Sequence, residues 1–74
     1  MTQEQVSTLT VTVNGQVREV GAGTTVAAVV ATVTPAGSGV AVALNDAIVP
    51  RGDWVRVELR DADRIEVLTA VQGG

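Results

Sequence analysis

The chain has 74 residues, 46% of them hydrophobic, and carries 8 acidic and 5 basic side chains for a net charge of −3. That length predicts one small domain over residues 1–74, and a chain of this size buries only about 60% of the surface its unfolded form exposes. With no cysteine, no histidine and no tyrosine, it has no disulfide, thiolate or zinc–thiolate chemistry, and five scattered arginines on an acidic chain speak against nucleic acid, which needs clustered cations.

Residues 1–7 are a polar lead-in without the basic start and apolar run of a signal peptide. No later stretch has the apolar length that spans a bilayer, so a cytoplasmic protein with no membrane association is expected. Leu9, Val11 and Val13 alternate with Thr8, Thr10 and Thr12, which predicts a half-buried strand. Asn14-Gly15 then suits a type I′ hairpin turn, since both residues tolerate positive φ. Gln16 to Val20 is expected to return as a second strand, with weak alternation that leaves room for a bulge.

Gly21-Ala22-Gly23 breaks the pattern. Thr25 is the better N-cap candidate, because Val26, Val29, Val30 and Val33 follow at i, i+3, i+4 and i+7 and form one apolar stripe. Valine is a middling helix former, so this helix depends on packing against a sheet. Residues 34–39 form a breaker cluster and hence a loop.

Val40 to Leu44 alternates large with small apolar side chains, as in a strand covered on one face and crowded on the other. Asn45-Asp46 makes a turn, Ala47 to Val49 a short returning strand, and Pro50 ends it. Val55, Val57 and Leu59 alternate with Arg56, Glu58 and Arg60, which permits a further strand or extended edge. Asp61-Ala62-Asp63 is a turn, and Ile65 to Val71 reads as the last strand. One helix among several strands must cover one face of one sheet, so the fold class is α+β, a roll.

Few side chains here can do chemistry. Ser7 and Ser38 have no histidine to activate them, and there is no lysine or tyrosine. Asp61, Asp63 and Glu66 are the one carboxylate cluster, but an Asp-x-Asp turn before a strand is far more often solvated than metal-bound, and calcium wants six to eight oxygens. Arg51-Gly52-Asp53 reads as a charged turn rather than an adhesion ligand. Trp54 is expected at the core or its edge, because the rest of the apolar set is small-sided. The terminal carboxylate of Gly74 is ionised at neutral pH and is a weak oxygen nucleophile. Gly73 and Gly74 have no Cβ, so a narrow channel in a partner can grip backbone alone. A frayed end of no consequence and a working tail both remain open on the residues alone.

The stretches VAVALNDAIVPRGDW (Val40 to Trp54) and LRDADRIEVLTAVQGG (Leu59 to Gly74) resemble the ThiS family, the sulfur carrier proteins of thiamine biosynthesis. The matching features are Asn45, the Val49-Pro50-Arg51 segment, Trp54, the turn ending at Asp63 and the tail Thr69-Ala70-Val71-Gln72-Gly73-Gly74. VNGQVREVGAGTTVAAVV fits more loosely. The chain departs from the family at Ala62, where glycine is common; if that position needs positive φ, alanine is strained there. Its Val55-Arg56-Val57 stretch is also more strand-like than the irregular segment usual in the family.

The resemblance implies a ubiquitin-like β-grasp roll, one mixed sheet on one main helix with a flexible Gly-Gly tail over residues 72–74. It implies that the Gly74 carboxylate is adenylated by a ThiF-type adenylyltransferase and converted to a thiocarboxylate (1-thioglycine). Sulfur would come from a cysteine desulfurase or another persulfide donor and pass to a ThiG-type thiazole synthase. ATP and magnesium belong to the adenylating partner, so the chain is a sulfur-carrying co-substrate rather than an enzyme, with no bound cofactor, no metal and no catalytic side chain. Val71, Gln72 and Gly73 form the recognition tail. Two siblings compete with this reading: the small subunit of molybdopterin synthase, which usually carries prolines before its Gly-Gly, and a ubiquitin-like protein modifier joined through Gly74. A binding module with an inert tail is a third.

Overall fold

In the computed structural model of the protein, residues 7–35 and 39–69 are described. The lead-in up to residue 6, loop residues 36–38, the strand end expected at residues 70–71 and the tail 72–74 lie outside them.

Strands β1 (Thr8–Val13) and β2 (Gln16–Gly21) form a hairpin. They pair in unbroken register from Thr8↔Gly21 to Val13↔Gln16, so the sequence's weak alternation hides no bulge. Asn14 and Gly15 have φ of 51° and 83°, the positive values a type I′ turn demands. β2 is exposed over most of its length, which explains its loose pattern: it is an edge strand.

Helix α1 (Val26–Val33) starts where the capping signal places it. Its N-cap Thr25 accepts through Oγ1 from the N–H of Ala28 at 3.2 Å. Two further N–H groups of the first turn find partners elsewhere: Val26 donates to the carbonyl of Val57 at 2.9 Å and Ala27 to that of Trp54 at 3.0 Å. A helix N-terminus leaves such donors without intrahelical partners, and here the chain at 54–57 supplies them.

That role settles the segment after Pro50. Arg51–Asp53, expected as a charged turn, is a 3₁₀ turn. Where extension is expected over Val55 to Arg60, the chain first turns on, with Arg56 and Val57 donating back to the carbonyl of Asp53. Strand-like alternation yields because its carbonyls serve the helix; the extended part is reduced to one bridge, Thr25↔Glu58. Leu59 is buried and Val55 is exposed.

β3 (Val40–Leu44) and β4 (Ala47–Ile48) form a second hairpin. Its turn residues Asn45 and Asp46 both take positive φ, 51° and 71°. β5 (Arg64–Thr69) completes a five-stranded mixed sheet in the order β2-β1-β5-β3-β4. β5, last in the chain, is central: antiparallel to β3 from Leu44↔Ile65 to Val40↔Thr69, and parallel to β1 at Thr12↔Arg64 and Val13↔Ile65.

Val11, Val13, Val42, Ile65 and Val67 project from one face of the sheet onto Val26, Val29 and Val30 of α1, with Val49, Trp54 and Leu59 closing the end. Trp54 is 8% exposed, and its Nε1–H donates to the carbonyl of Val49 at 2.9 Å, so the indole is a core anchor with its polar atom satisfied. Arg51 lies over its ring, 5.5 Å from the centroid. Ala41, expected on a crowded face, is exposed: the opposite face of the sheet carries no second layer among the described residues.

Candidate functional site

The sequence-predicted site residues Val71, Gln72, Gly73 and Gly74 lie outside the described residues. What the structure describes is the platform from which that tail departs, the end of β5 at Thr69.

The platform is built by side chains that complete a short ladder. β1 and β5 share two parallel residue pairs. Before them, Asp61 covers β1: the N–H of Thr10 donates to its Oδ1 at 2.7 Å, while Ala62 donates to the carbonyl of Thr10 at 2.7 Å. After them, Asn14 covers β5. Its own N–H donates to the carbonyl of Ile65 at 2.9 Å, its Oδ1 accepts from the N–H of Val67 at 2.8 Å, and its Nδ2 donates to the carbonyl of Val67 at 3.3 Å. Sequence reading assigned Asn14 to a turn and missed this contact. No local pattern reports a bond across 53 residues.

The turn into β5 is equally tied down. Asp63, 9% exposed, accepts from Asn45 Nδ2 at 2.9 Å through Oδ1 and from the N–H of Arg60 at 2.7 Å through Oδ2. Asn45 in turn accepts from the N–H of Arg64 at 2.9 Å. The expectation of a solvated turn is therefore corrected for Asp63: burial is compensated because both carboxylate oxygens have donors. Ala62 sits in this turn at φ 72°, the strained conformation anticipated for a non-glycine residue there.

Among the described residues no group of three acidic, histidine or cysteine side chains is disposed to hold a metal ion. Arg64 and Asp46 form an exposed ion pair at 2.9 Å. A shallow cleft of about 240 Å³ opens between β2 and α1, lined by Arg18, Thr24 and Thr32 among others. Its two threonine hydroxyls donate to local carbonyls, of Gly21 and Val29, at 2.7 Å each. Nothing in it is activated as a nucleophile.

On the outer face of the sheet, exposed apolar side chains stand among charged and polar ones. Leu68 on β5 is 62% exposed and Ile48 on β4 is 71% exposed. Cross-strand pairing places Ala41 opposite Leu68, and Ala43 opposite both Glu66 and Ile48. The signal for Leu68 is present in the sequence, since it occupies an outward position of β5 where Arg64 and Glu66 are charged.

A mixed five-stranded sheet grasping one helix, with the chain's last strand in its centre and running outward, defines a ubiquitin-like β-grasp protein. The ThiS family model matches residues 11–74, and the chain belongs to that family. Its fold is similar to the crystal structure of the thiamine biosynthesis protein ThiS from Geobacter metallireducens, with a TM-score of 0.70 and 29% sequence identity over 89% of this chain and 100% of that one. No curated protein matches the sequence significantly.

Proposed function

We propose that this protein is a sulfur carrier of thiamine biosynthesis whose working group is the Gly74 carboxylate. The observation that carries the reading is the family match, which spans residues 11–74 and so includes the terminal Gly-Gly. The poverty of reactive side chains supports it. Without cysteine, histidine, lysine or tyrosine, the terminus is the group best suited to covalent chemistry.

A carboxylate does not accept sulfur until its oxygen becomes part of a leaving group. In the proposed cycle a ThiF-type enzyme supplies ATP and magnesium. The Gly74 carboxylate oxygen attacks the α-phosphorus, pyrophosphate departs and an acyl-adenylate forms. The terminal sulfur of a persulfide, supplied by a cysteine desulfurase or another persulfide donor, attacks the acyl carbon and displaces AMP to form an acyl disulfide. A second thiol of the donor then attacks the S–S bond. The donor is left as a disulfide and the chain as a thiocarboxylate, a softer and better nucleophile than the carboxylate. A ThiG-type synthase takes that sulfur into the thiazole ring. The chain acts as a protein co-substrate, with Val71, Gln72 and Gly73 threading the partner's channel and no cofactor held by the chain itself.

The exposed side chains of Leu68, Ile48 and Ala41, with Glu66 among them, form the docking surface for the adenylating enzyme in this proposal. It adjoins the strand that leads to the reacting group, and exposed apolar surface beside a site is where a partner gains affinity.

Intact-mass analysis of the protein produced together with these partners tests the reading. The expected product is heavier by one oxygen-to-sulfur exchange, located at Gly74. Thiazole synthesis that survives deletion of Gly74 in a thiamine-free medium would overturn it, and a ladder of protein conjugates would point to a modifier.

A further inference from the structure

Asn14 does more than turn a hairpin. β1 ends at Val13, yet β5 runs on to Thr69. Past Ile65, the side of β5 that faces β1 therefore has no strand opposite it. The Asn14 carboxamide fills that place. A carboxamide is chemically a peptide group, with one acceptor oxygen and N–H donors, and this one makes both bonds of a ladder residue to Val67 at 2.8 Å and 3.3 Å. On the other side β3 pairs with the same strand as far as Val40↔Thr69. The last strand is thus held from both sides near its end, and on the β1 side by one side chain.

We propose that Asn14 is a positioning residue for the chain terminus: its contact with Val67 sets the direction in which β5 presents the tail to the adenylating enzyme. This rests on the reading that Gly74 is the working group. From Val67 to the strand end at Thr69 β5 spans roughly 7 Å, so a change of about 10° in its direction shifts that end by about 1 Å. Productive encounter is sensitive to displacements of that size. Positive φ at Asn14 is what lets one residue close the turn and aim its side chain at β5.

Asn14→Gly keeps the positive φ and deletes the carboxamide. Asn45→Gly is the matched control, removing the asparagine that ties the start of β5 through Asp63 and Arg64. Both variants lose stability. In ATP–pyrophosphate exchange with a ThiF-type enzyme, well below the unfolding midpoint, Asn14→Gly is expected to raise KM about fivefold at unchanged kcat, because an enzyme that has gripped the tail no longer needs it aimed. Asn45→Gly is expected to leave KM at the wild-type value. Equal KM for wild type and Asn14→Gly, or an equal rise in both variants, overturns the proposal. Residual dipolar couplings of the Leu68 and Thr69 amides in the isolated protein give a second readout. They are expected to change in Asn14→Gly and to hold in Asn45→Gly, and unchanged couplings in Asn14→Gly reject the idea. Should the wild type fail to exchange pyrophosphate, it is the sulfur-carrier reading that falls, and the couplings alone decide the role of Asn14.

Discussion

The two ends of β5 are built on opposite principles. At its start, Asp61, Asp63 and Asn45 bring four side-chain hydrogen bonds between 2.7 and 2.9 Å to backbone or to one another, and Asp63 is buried in doing so. At its finish the described strand has one side-chain clamp, Asn14, and beside it Leu68 open to solvent. The first end fixes where the strand begins. The second leaves apolar side chains exposed. Burial and hydrogen bonding serve the fold at one end; at the other, exposure serves the partner in the proposed function.

The largest effect should come from breaking the first end. Asp63→Ala removes the acceptor from the Arg60 N–H and from Asn45 Nδ2, two part-buried hydrogen bonds to a charged group. Bonds of that kind contribute about 1.5–3 kcal/mol each, less where water reaches the donor. A loss of about 2–4 kcal/mol in urea unfolding is expected, and Asp63→Asn, which keeps one acceptor oxygen, should fall between it and the wild type. If Asp63→Ala unfolds at the wild-type midpoint, the turn is not what holds β5.

Much of this was legible in the sequence. The Thr25 cap, the valine stripe of α1, both hairpins and the inward position of Trp54 are local signals of period, capping and turn chemistry, and each finds its element in the structure. Three features were not legible, for one shared reason. The strand pattern of Val55 to Leu59 gave way to hydrogen bonds with the helix N-terminus, Asp63 proved buried, and Asn14 reached Val67. Each depends at least in part on a group far apart in the chain, Val57 on Val26, Asp63 on Asn45 and Asn14 on Val67, where local pattern carries no information. Of the site, Leu68 was legible as an apolar residue in an outward register, and Ile48 was not, since β4 has two residues and no period to read. The assignment of chemistry to Gly74 came from family resemblance together with the scarcity of other reactive groups.

Ala62 gives a smaller effect of opposite sign. At φ 72° a Cβ meets the following backbone, which costs about 1–2 kcal/mol in the left-handed region. Its N–H is already engaged with the carbonyl of Thr10, so the turn keeps this conformation with either residue. Ala62→Gly relieves the strain and gives back part of it through the greater freedom of glycine in the unfolded chain. A net gain of about 0.5–1 kcal/mol is expected in the same unfolding measurement. A loss instead would mean that the alanine methyl makes a contact that outweighs the strain.

The smallest effect on stability, and the most informative, belongs to the finish of β5. Leu68 and Ile48 are 62% and 71% exposed, so most of each side chain already faces water in the folded state and has little to lose. Threonine keeps β-propensity at both positions, so the double variant Leu68→Thr/Ile48→Thr should unfold within about 0.5 kcal/mol of the wild type. Affinity for the adenylating enzyme should behave otherwise. Two apolar anchors lost from the centre of a contact weaken binding about tenfold, or about 1.4 kcal/mol, measurable by calorimetric titration. A double variant that loses stability but binds normally would place these side chains with the fold and the docking surface elsewhere. One that keeps its stability and loses its partner would show that the two ends of a single strand have been shaped by different demands.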